Sequence, residues 1–352
     1  MAEHGFALIG LGAVSGLHAD AIQRLPNTVL RAVCDVNEDR ARVVAEERGC
    51  DWATDHRALL DRPDITAVDV TTWSGLHAPI GLEFARSGKH VITTKPIDVR
   101  LEVIDELIGA CEANGVKLAA VHQSRALEPY RRLKGAIDQG RLGRIVMGHA
   151  YCKWLRTQAY YDSSAWRGTY GLDGGGCLMN QGIHYVDLLL WYLGQPATVS
   201  GHVATLCRDI EVEDCATASL RFASGALGTI EGATCLYRGQ PARIEVHGER
   251  GNVAIAGDEI VLWEVEGEET IRRAPGAIDG SSDPAGGMVN ALDAHIAQIG
   301  DFVRAIEEDR EPELNGREAR RAVEVILAIY RSSRTHQVVP IPLEGKSDPR
   351  AL

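Results

Sequence analysis

The sequence predicts an α/β protein of two domains: a doubly wound parallel sheet in residues 1–122, then an α/β domain built on a mostly antiparallel open sheet in residues 123–352. Three observations predict it. The chain has 352 residues, enough for two ordinary domains that each bury a core. Up to Val121 short apolar runs alternate with helical patterns, and beyond it longer strand-like segments follow one another with turn signals between them.

In the first domain, residues 6–9, 29–34, 67–70, 91–92 and 118–121 are apolar runs without alternation, the pattern of strands covered on both faces. Residues 13–25, 38–48, 77–87 and 101–114 read as the crossover helices between them, and Gly88 and Gly115 stand where C-cap glycines do. In the second domain, residues 145–155, 199–206, 216–222, 226–236, 242–247 and 259–264 read as strands. One strong helix, 178–193, ends at Gly194, and two more, 288–307 and 317–332, close the chain.

Composition narrows the function classes. With 45% hydrophobic and 24% charged residues the chain is of the globular type. A net charge of -12 without a basic run argues against nucleic acid. The first residues, Met1-Ala2-Glu3-His4-Gly5, lack a basic leader, and no apolar run nears the roughly 18 residues of a membrane helix. A cytoplasmic protein with no membrane partner is expected. The eight cysteines are scattered, with no CxxC pair and no zinc-finger spacing, so reduced thiols and no metal are expected.

Gly10-Leu11-Gly12-Ala13-Val14-Ser15 follows the first strand and opens the first helix. A dinucleotide fingerprint must sit there for a helix N-terminus to face a pyrophosphate. Ser15 replaces the third glycine, a packing position that tolerates a small side chain. Asp35 ends the second strand, where a carboxylate accepts from the adenosine ribose hydroxyls. The first domain therefore reads as a Rossmann domain binding NAD, and Arg40 and Arg42 on the next helix leave NADP open. Thr72, Trp73 and His77, after strand 67–70, line the cofactor edge or merely pack the loop.

Two segments carry candidate chemistry. In Thr93-Thr94-Lys95-Pro96, a lysine at a strand end beside a rigid proline can donate to a substrate oxygen over a nicotinamide. In the run from Gly174 to Asp187, a helix starting near Leu178 would place Asn180 and His184 on one face, with Asp187 a turn further on. His184 can then accept a proton while Asn180 donates to a hydroxyl. By residue type alone His184 reads as well as a packed core histidine. Tyr160, Tyr161, Trp166 and Arg167 suit stacking a sugar or holding an anionic group, or a structural cluster.

Together these residues resemble the glucose-fructose oxidoreductase, inositol dehydrogenase and MocA (Gfo/Idh/MocA) family over essentially the whole chain. Residues 10–18, Cys34-Asp35-Val36, Gln123-Ser124-Arg125 with Pro129, Gly140-Arg141-Leu142-Gly143, Trp166-Arg167-Gly168, the glycine run to His184, Asp301-Phe302 and Pro340-Ile341-Pro342 carry the likeness. The resemblance implies hydride transfer between a nicotinamide and a carbon bearing a hydroxyl or carbonyl, on a sugar, sugar derivative or cyclitol. It implies His184 as general base and Lys95 as the polarising or relaying group. Gly10 to Val14, Asp35, Thr72, Trp73, His77, Lys95, Pro96 and Gln123 would face the cofactor. Lys95, Tyr160, Trp166, Arg167, Asn180, Gln181 and His184 would face the substrate.

The resemblance also implies a cis Lys95-Pro96 peptide and a homodimer or homotetramer. Two departures stand out: Thr94 replaces a common Glu, and Asn180 replaces the Asp of many members. Asn180-Gln181 resembles the pair in branches that include sugar-nucleotide 3-dehydrogenases. Two other readings are an NAD-dependent glycosidase of the same fold, with no net redox change, and a protein that senses NAD without turnover.

Overall fold

The structure is a computed structural model and describes residues 3–273, 291–345 and 347–350. The chain divides into two units, Met1–Gln123 with Met288–Arg320, and Ser124–Gly287 with Arg321–Leu352.

In the first unit β1 (His4–Ile9), α1 (Ser15–Arg24), β2 (Thr28–Cys34), α2 (Glu38–Arg48), β3 (Asp51–Ala53), β4 (Ala67–Val70), α3 (His77–Arg86), β5 (His90–Thr94), α4 (Leu101–Ala113) and β6 (Leu118–Val121) alternate. The six strands are parallel, in the order β3-β2-β1-β4-β5-β6. β1, β4 and β6 are buried at every position, which is why their sequences show no polar alternation. The order reverses direction between β1 and β4, and ligands of such sheets bind beyond the strand carboxyl ends at that switch point. Local chemistry sets the helix ends. The Asn37 side chain accepts from Arg40 N at 2.9 Å to start α2, and Gly49, at φ +68, ends it in the left-handed region. The edge strand β3 escaped the sequence reading, being three residues long and largely exposed.

The second unit holds α5 (Glu128–Asp138), β7 (Ile145–Lys153), α6 (Gln158–Asp162), α7 (Ile183–Leu193), β8 (Pro196–Ala204), β9 (Cys215–Phe222), β10 (Leu227–Ala233), β11 (Arg243–Gly248), β12 (Gly251–Ala256), β13 (Glu259–Val265) and β14 (Ile271–Arg272). With β15 (Val339–Pro340) these strands make a nine-stranded sheet ordered β14-β13-β12-β11-β7-β10-β9-β8-β15. Its pairs are antiparallel except β7 with β10. β9 shows one covered face: Ala216, Ala218, Leu220 and Phe222 are buried while Thr217, Ser219 and Arg221 are exposed. α7 is buried almost all round and packs on β7 and β11. β12, β14 and β15 were not read from the sequence; the last two are two residues long and β12 opens on Gly251-Asn252.

Two helices close the chain, α8 (Ala291–Glu307) and α9 (Gly316–Thr335). The expected start of α8 at 288–290 lies outside the described residues. Met288–Arg320, counted with the second domain in the sequence reading, belongs to the first unit. There α8 packs on α1, and Phe302 meets Phe6 edge-on with ring centroids 6.4 Å apart. Among the described residues no helix is long and apolar enough to cross a membrane.

Candidate functional site

Gly10, Asp35, Thr72, Lys95 and Gln123 follow β1, β2, β4, β5 and β6. Because the strands are parallel, all five lie along one edge of the sheet. Gly10 has φ +90, and a Cβ on it would stand 2.7 Å from Thr72 Cγ2, so only glycine lets the two strand ends approach. A Cβ on Gly12 would meet nothing within 4 Å. Its glycine answers to no packing demand inside the protein and leaves the backbone open to a ligand. Ser15 Oγ donates to Gly12 O at 2.7 Å and closes the turn. Behind it, His18 Nδ1 and Asp69 Oδ2 meet at 2.7 Å with no exposure, tying α1 to β4.

Asp35 has a local duty besides any ligand. Its carboxylate accepts from Leu11 N at 2.8 Å and Asn37 N at 2.9 Å, and Arg40 Nη1 stands 3.4 Å away. Arg42 is turned to Asp39. A dinucleotide fits this edge. The turn at Gly12 and Ala13 is exposed, α1 starts without a side-chain cap, and Thr72 Oγ1 is buried with no hydrogen-bond partner. Trp73 is exposed beside it.

The Lys95-Pro96 peptide is cis, as the resemblance implies. His77 braces it: Nδ1 lies 2.7 Å from Pro96 O and Nε2 3.0 Å from Thr72 O. Burial pushes the His77 pKa down, with the Lys95 charge adding to it and the two carbonyls opposing. Asp98 holds the far side of the turn, accepting from Ala78 N at 3.1 Å and Val99 N at 2.7 Å. Burial raises Asp98 to about 6.

In the second unit the expected helix 178–193 is two pieces, a π-helical turn over Cys177–Gly182 and then α7. The wider turn changes the expected single face of Asn180 and His184, since four residues no longer make one full turn. Asn180 is half-buried and its Nδ2 donates to Asp173 Oδ1 at 2.7 Å. His184 is 7% exposed. Asp187 is drawn inward, where Arg125 binds it through two nitrogens at 2.7 Å each.

Buried Glu213 builds the turn, accepting from Gly176 N at 2.8 Å, Leu178 N at 2.9 Å and Tyr330 Oη at 2.9 Å. A Cβ on Gly176 would stand 1.7 Å from Glu213 O, and one on Gly175 2.0 Å from Tyr330 Oη. The glycine run is therefore the mould of this contact.

Tyr160, Arg167 and Gln181 come together: Tyr160 Oη accepts from Arg167 Nη1 at 2.6 Å and Gln181 Nε2 at 3.2 Å. The Arg167 guanidinium lies over the Tyr160 and Trp166 rings, 4.4 and 5.0 Å from their centroids. Tyr161 turns inward to Thr234. Three residues of this region were missed. Arg156, 8% exposed, stacks on Tyr160 at 5.2 Å; its only sequence signal was a cation between a strand and an aromatic pair. Asp173 and Glu213 gave none beyond their type.

The comparisons with known proteins agree with these two units. Residues 4–122 match the oxidoreductase family with an NAD-binding Rossmann fold, and residues 130–254 match the GFO/IDH/MocA C-terminal domain. The structure of the WlbA dehydrogenase from Bordetella pertussis, in complex with NADH and UDP-GlcNAcA, is 33% identical with a TM-score of 0.87. It is matched over 98% of this chain and 99% of its own. The inositol 2-dehydrogenase of Rhizobium meliloti is 29% identical over 332 residues, 93% of this chain and 96% of the relative. The myo-inositol 2-dehydrogenase of Thermotoga maritima is 25% identical over 325 residues, 90% and 92% of the two chains. Both halves of the chain, its two sheets and its cofactor edge thus lead to one conclusion: the protein belongs to the Gfo/Idh/MocA family of NAD-dependent oxidoreductases.

Proposed function

We propose that the protein oxidises a hydroxyl-bearing carbon of an anionic sugar derivative, a sugar nucleotide or sugar acid, with NAD as hydride acceptor. One observation carries the choice of an anionic substrate. Arg156 and Arg167 each have a buried Nε without a hydrogen-bond partner, and neither is paired with a carboxylate among the described residues. Two such cations beside Tyr160 and Gln181 suit a carboxylate or diphosphate, whereas a neutral cyclitol has no use for them. The WlbA dehydrogenase, similar over nearly its whole length, was solved with a nucleotide sugar acid.

The first unit, through Gly10 to Val14, Asp35, Thr72, Trp73, His77, Pro96 and Gln123, holds the cofactor, and the second binds the sugar. NAD held along that edge would supply the hydride acceptor. Lys95 donates to the reacting oxygen from the braced turn after β5. His184 receives the hydroxyl proton on its ring. Asn180, held by Asp173, and Gln181, held to Tyr160, orient the neighbouring hydroxyls, while Trp166 and Tyr160 offer their faces to the sugar ring. The protein works in the cytoplasm, where its eight thiols stay reduced, and as a homo-oligomer joined through the open face of the nine-stranded sheet. That face exposes Met147, Leu227 and Val338.

The test is NADH absorbance with UDP-sugar acids, free sugar acids, inositols and anhydrosugars offered in parallel. NADH formed from the anionic sugars supports the reading. NADH from inositols alone would overturn the substrate class, and glycoside cleavage without net NADH would move the assignment to the redox-neutral glycosidase.

A further inference from the structure

Away from these residues, a second cluster of chemistry-bearing side chains sits at the root of the loop 205–214. The thiols of Cys207 and Cys235 and a carboxylate oxygen of Asp214 all lie within 4.8 Å of one another. They come from three places: the loop itself, the residue before β9, and the segment after β10. The thiol of Cys215 is in hydrogen-bond contact with that of Cys235. Two sulfurs and a carboxylate therefore converge, with the Cys215 thiol beside Cys235, where no arginine, lysine or histidine among the described residues forms an ion pair with Asp214.

The carboxylate is set in place beforehand. Asp214 is fully buried, and it accepts from Leu206 N at 2.8 Å, Cys207 N at 2.7 Å and Arg208 N at 2.9 Å. These backbone bonds fold the loop so that Cys207 returns to the strand ends. Oδ2 takes two of these bonds and Oδ1 only one, so Oδ1 keeps a lone-pair site for an ion. Cys207 is exposed, which gives an ion a way in.

We propose that Cys207, Asp214 and Cys235, with Cys215 as fourth donor, form a zinc site that fastens the loop 205–214. Thiolate donors with one carboxylate match the ligand preference of Zn2+, and tetrahedral zinc at about 2.3 Å from sulfur spaces its sulfurs about 3.8 Å apart. The thiols of Cys207 and Cys235 need close by only about 1 Å from the 4.8 Å bound, a movement open to an exposed loop cysteine. Zinc entry displaces the thiol protons to solvent and changes no oxidation state.

The loop it fastens supports the sugar-facing segment. Arg208 Nε donates to Arg156 O at 2.6 Å, Asp209 N to Gln158 Oε1 at 2.9 Å, and Glu211 N to Gly168 O at 3.1 Å. The site thus fastens a loop bonded to the backbone of Arg156 and of Gly168, the neighbour of Arg167. Its existence does not rest on the proposed substrate.

The test is a Co2+ titration of the reduced full-length protein without NAD, read by visible absorption. The expected result is the intense band of tetrahedral thiolate-bound cobalt, saturating at equimolar metal, bleached by Zn2+, and absent from the Cys207→Ser/Cys235→Ser double variant. Cys50→Ser, in the first unit, should keep the band. Zinc should also raise the melting temperature of the parent and leave that of the double variant unchanged, with near-ultraviolet circular dichroism showing that the variant is folded. No band, a band unchanged in the double variant, or a Cys207 to Cys235 disulfide that forms readily in air while cobalt fails to bind would each overturn the proposal.

Discussion

If the proposed anionic sugar binds at Arg156 and Arg167, these residues are where its binding can be separated from the rest of the reaction. Loss of a hydrogen bond to a charged group costs about 1.5–3 kcal/mol, roughly 10- to 100-fold in binding. Arg167→Met should raise KM for an anionic sugar by that factor and leave the dissociation constant of NAD unchanged, read by quenching of protein fluorescence. An unchanged KM would remove Arg167 from the sugar site. At His184 the expected split is different. His184→Ala should retain NADH binding and lose turnover by about 100-fold or more, the usual contribution of a positioned base, and near-normal turnover would return His184 to the role of a packing residue. The turn and strand end at the sheet's switch point were legible because they leave local marks: Gly10 answers to a close backbone approach and Asp35 to its place after β2. Arg156, Asp173 and Glu213 were not, because each takes its meaning from partners that only the folded chain brings beside it.

At the level of elements, the π-helical turn Cys177–Gly182 is the place where periodicity misled. Residues 178–193 have an unbroken helical pattern, and nothing in them reports that Glu213 and Tyr330 will claim the backbone ahead of α7. Burial raises the Glu213 pKa from 4.5 to about 7, opposed by the two backbone N–H groups and the Tyr330 hydroxyl. The folded protein therefore holds this proton more tightly than the unfolded chain does, so the group's contribution to stability is complete below about 4.5 and lost as pH rises through about 7. Glu213→Gln cannot ionise. The melting temperature of the parent relative to this variant should fall across that window, and a constant difference would show that Glu213 does not titrate there. The same contact forbids side chains nearby: Gly176→Ala drives a methyl group into the Glu213 carbonyl and should cost about 1–3 kcal/mol by denaturant unfolding.

For the molecule as a whole, the two sheet types were legible because their cores impose different patterns. Continuous apolar runs between helical patterns marked the parallel sheet covered on both faces, and longer strand-like segments following one another across turn signals marked the mostly antiparallel one. Strand order and the short strands β3, β14 and β15 were beyond reach, since pairing two or three residues leaves no period to detect. The open face also makes a claim about assembly. Met147→Glu places a charge among exposed apolar residues of β7 and β10 and should reduce the mass in light scattering without altering NAD affinity. A parent that is already monomeric at micromolar concentration would end the proposal.

The pairing of Phe6 with Phe302 has a consequence for synthesis. The residue that completes the packing over β1 leaves the ribosome only after β7 to β14 of the other unit have been made. Until then the cofactor-binding segment must wait with Phe6, Ile22 and Leu25 incompletely covered, a nascent surface suited to chaperones. A premature stop between Gln123 and α8 should therefore yield an insoluble product, even though every residue named along the cofactor edge has already been made.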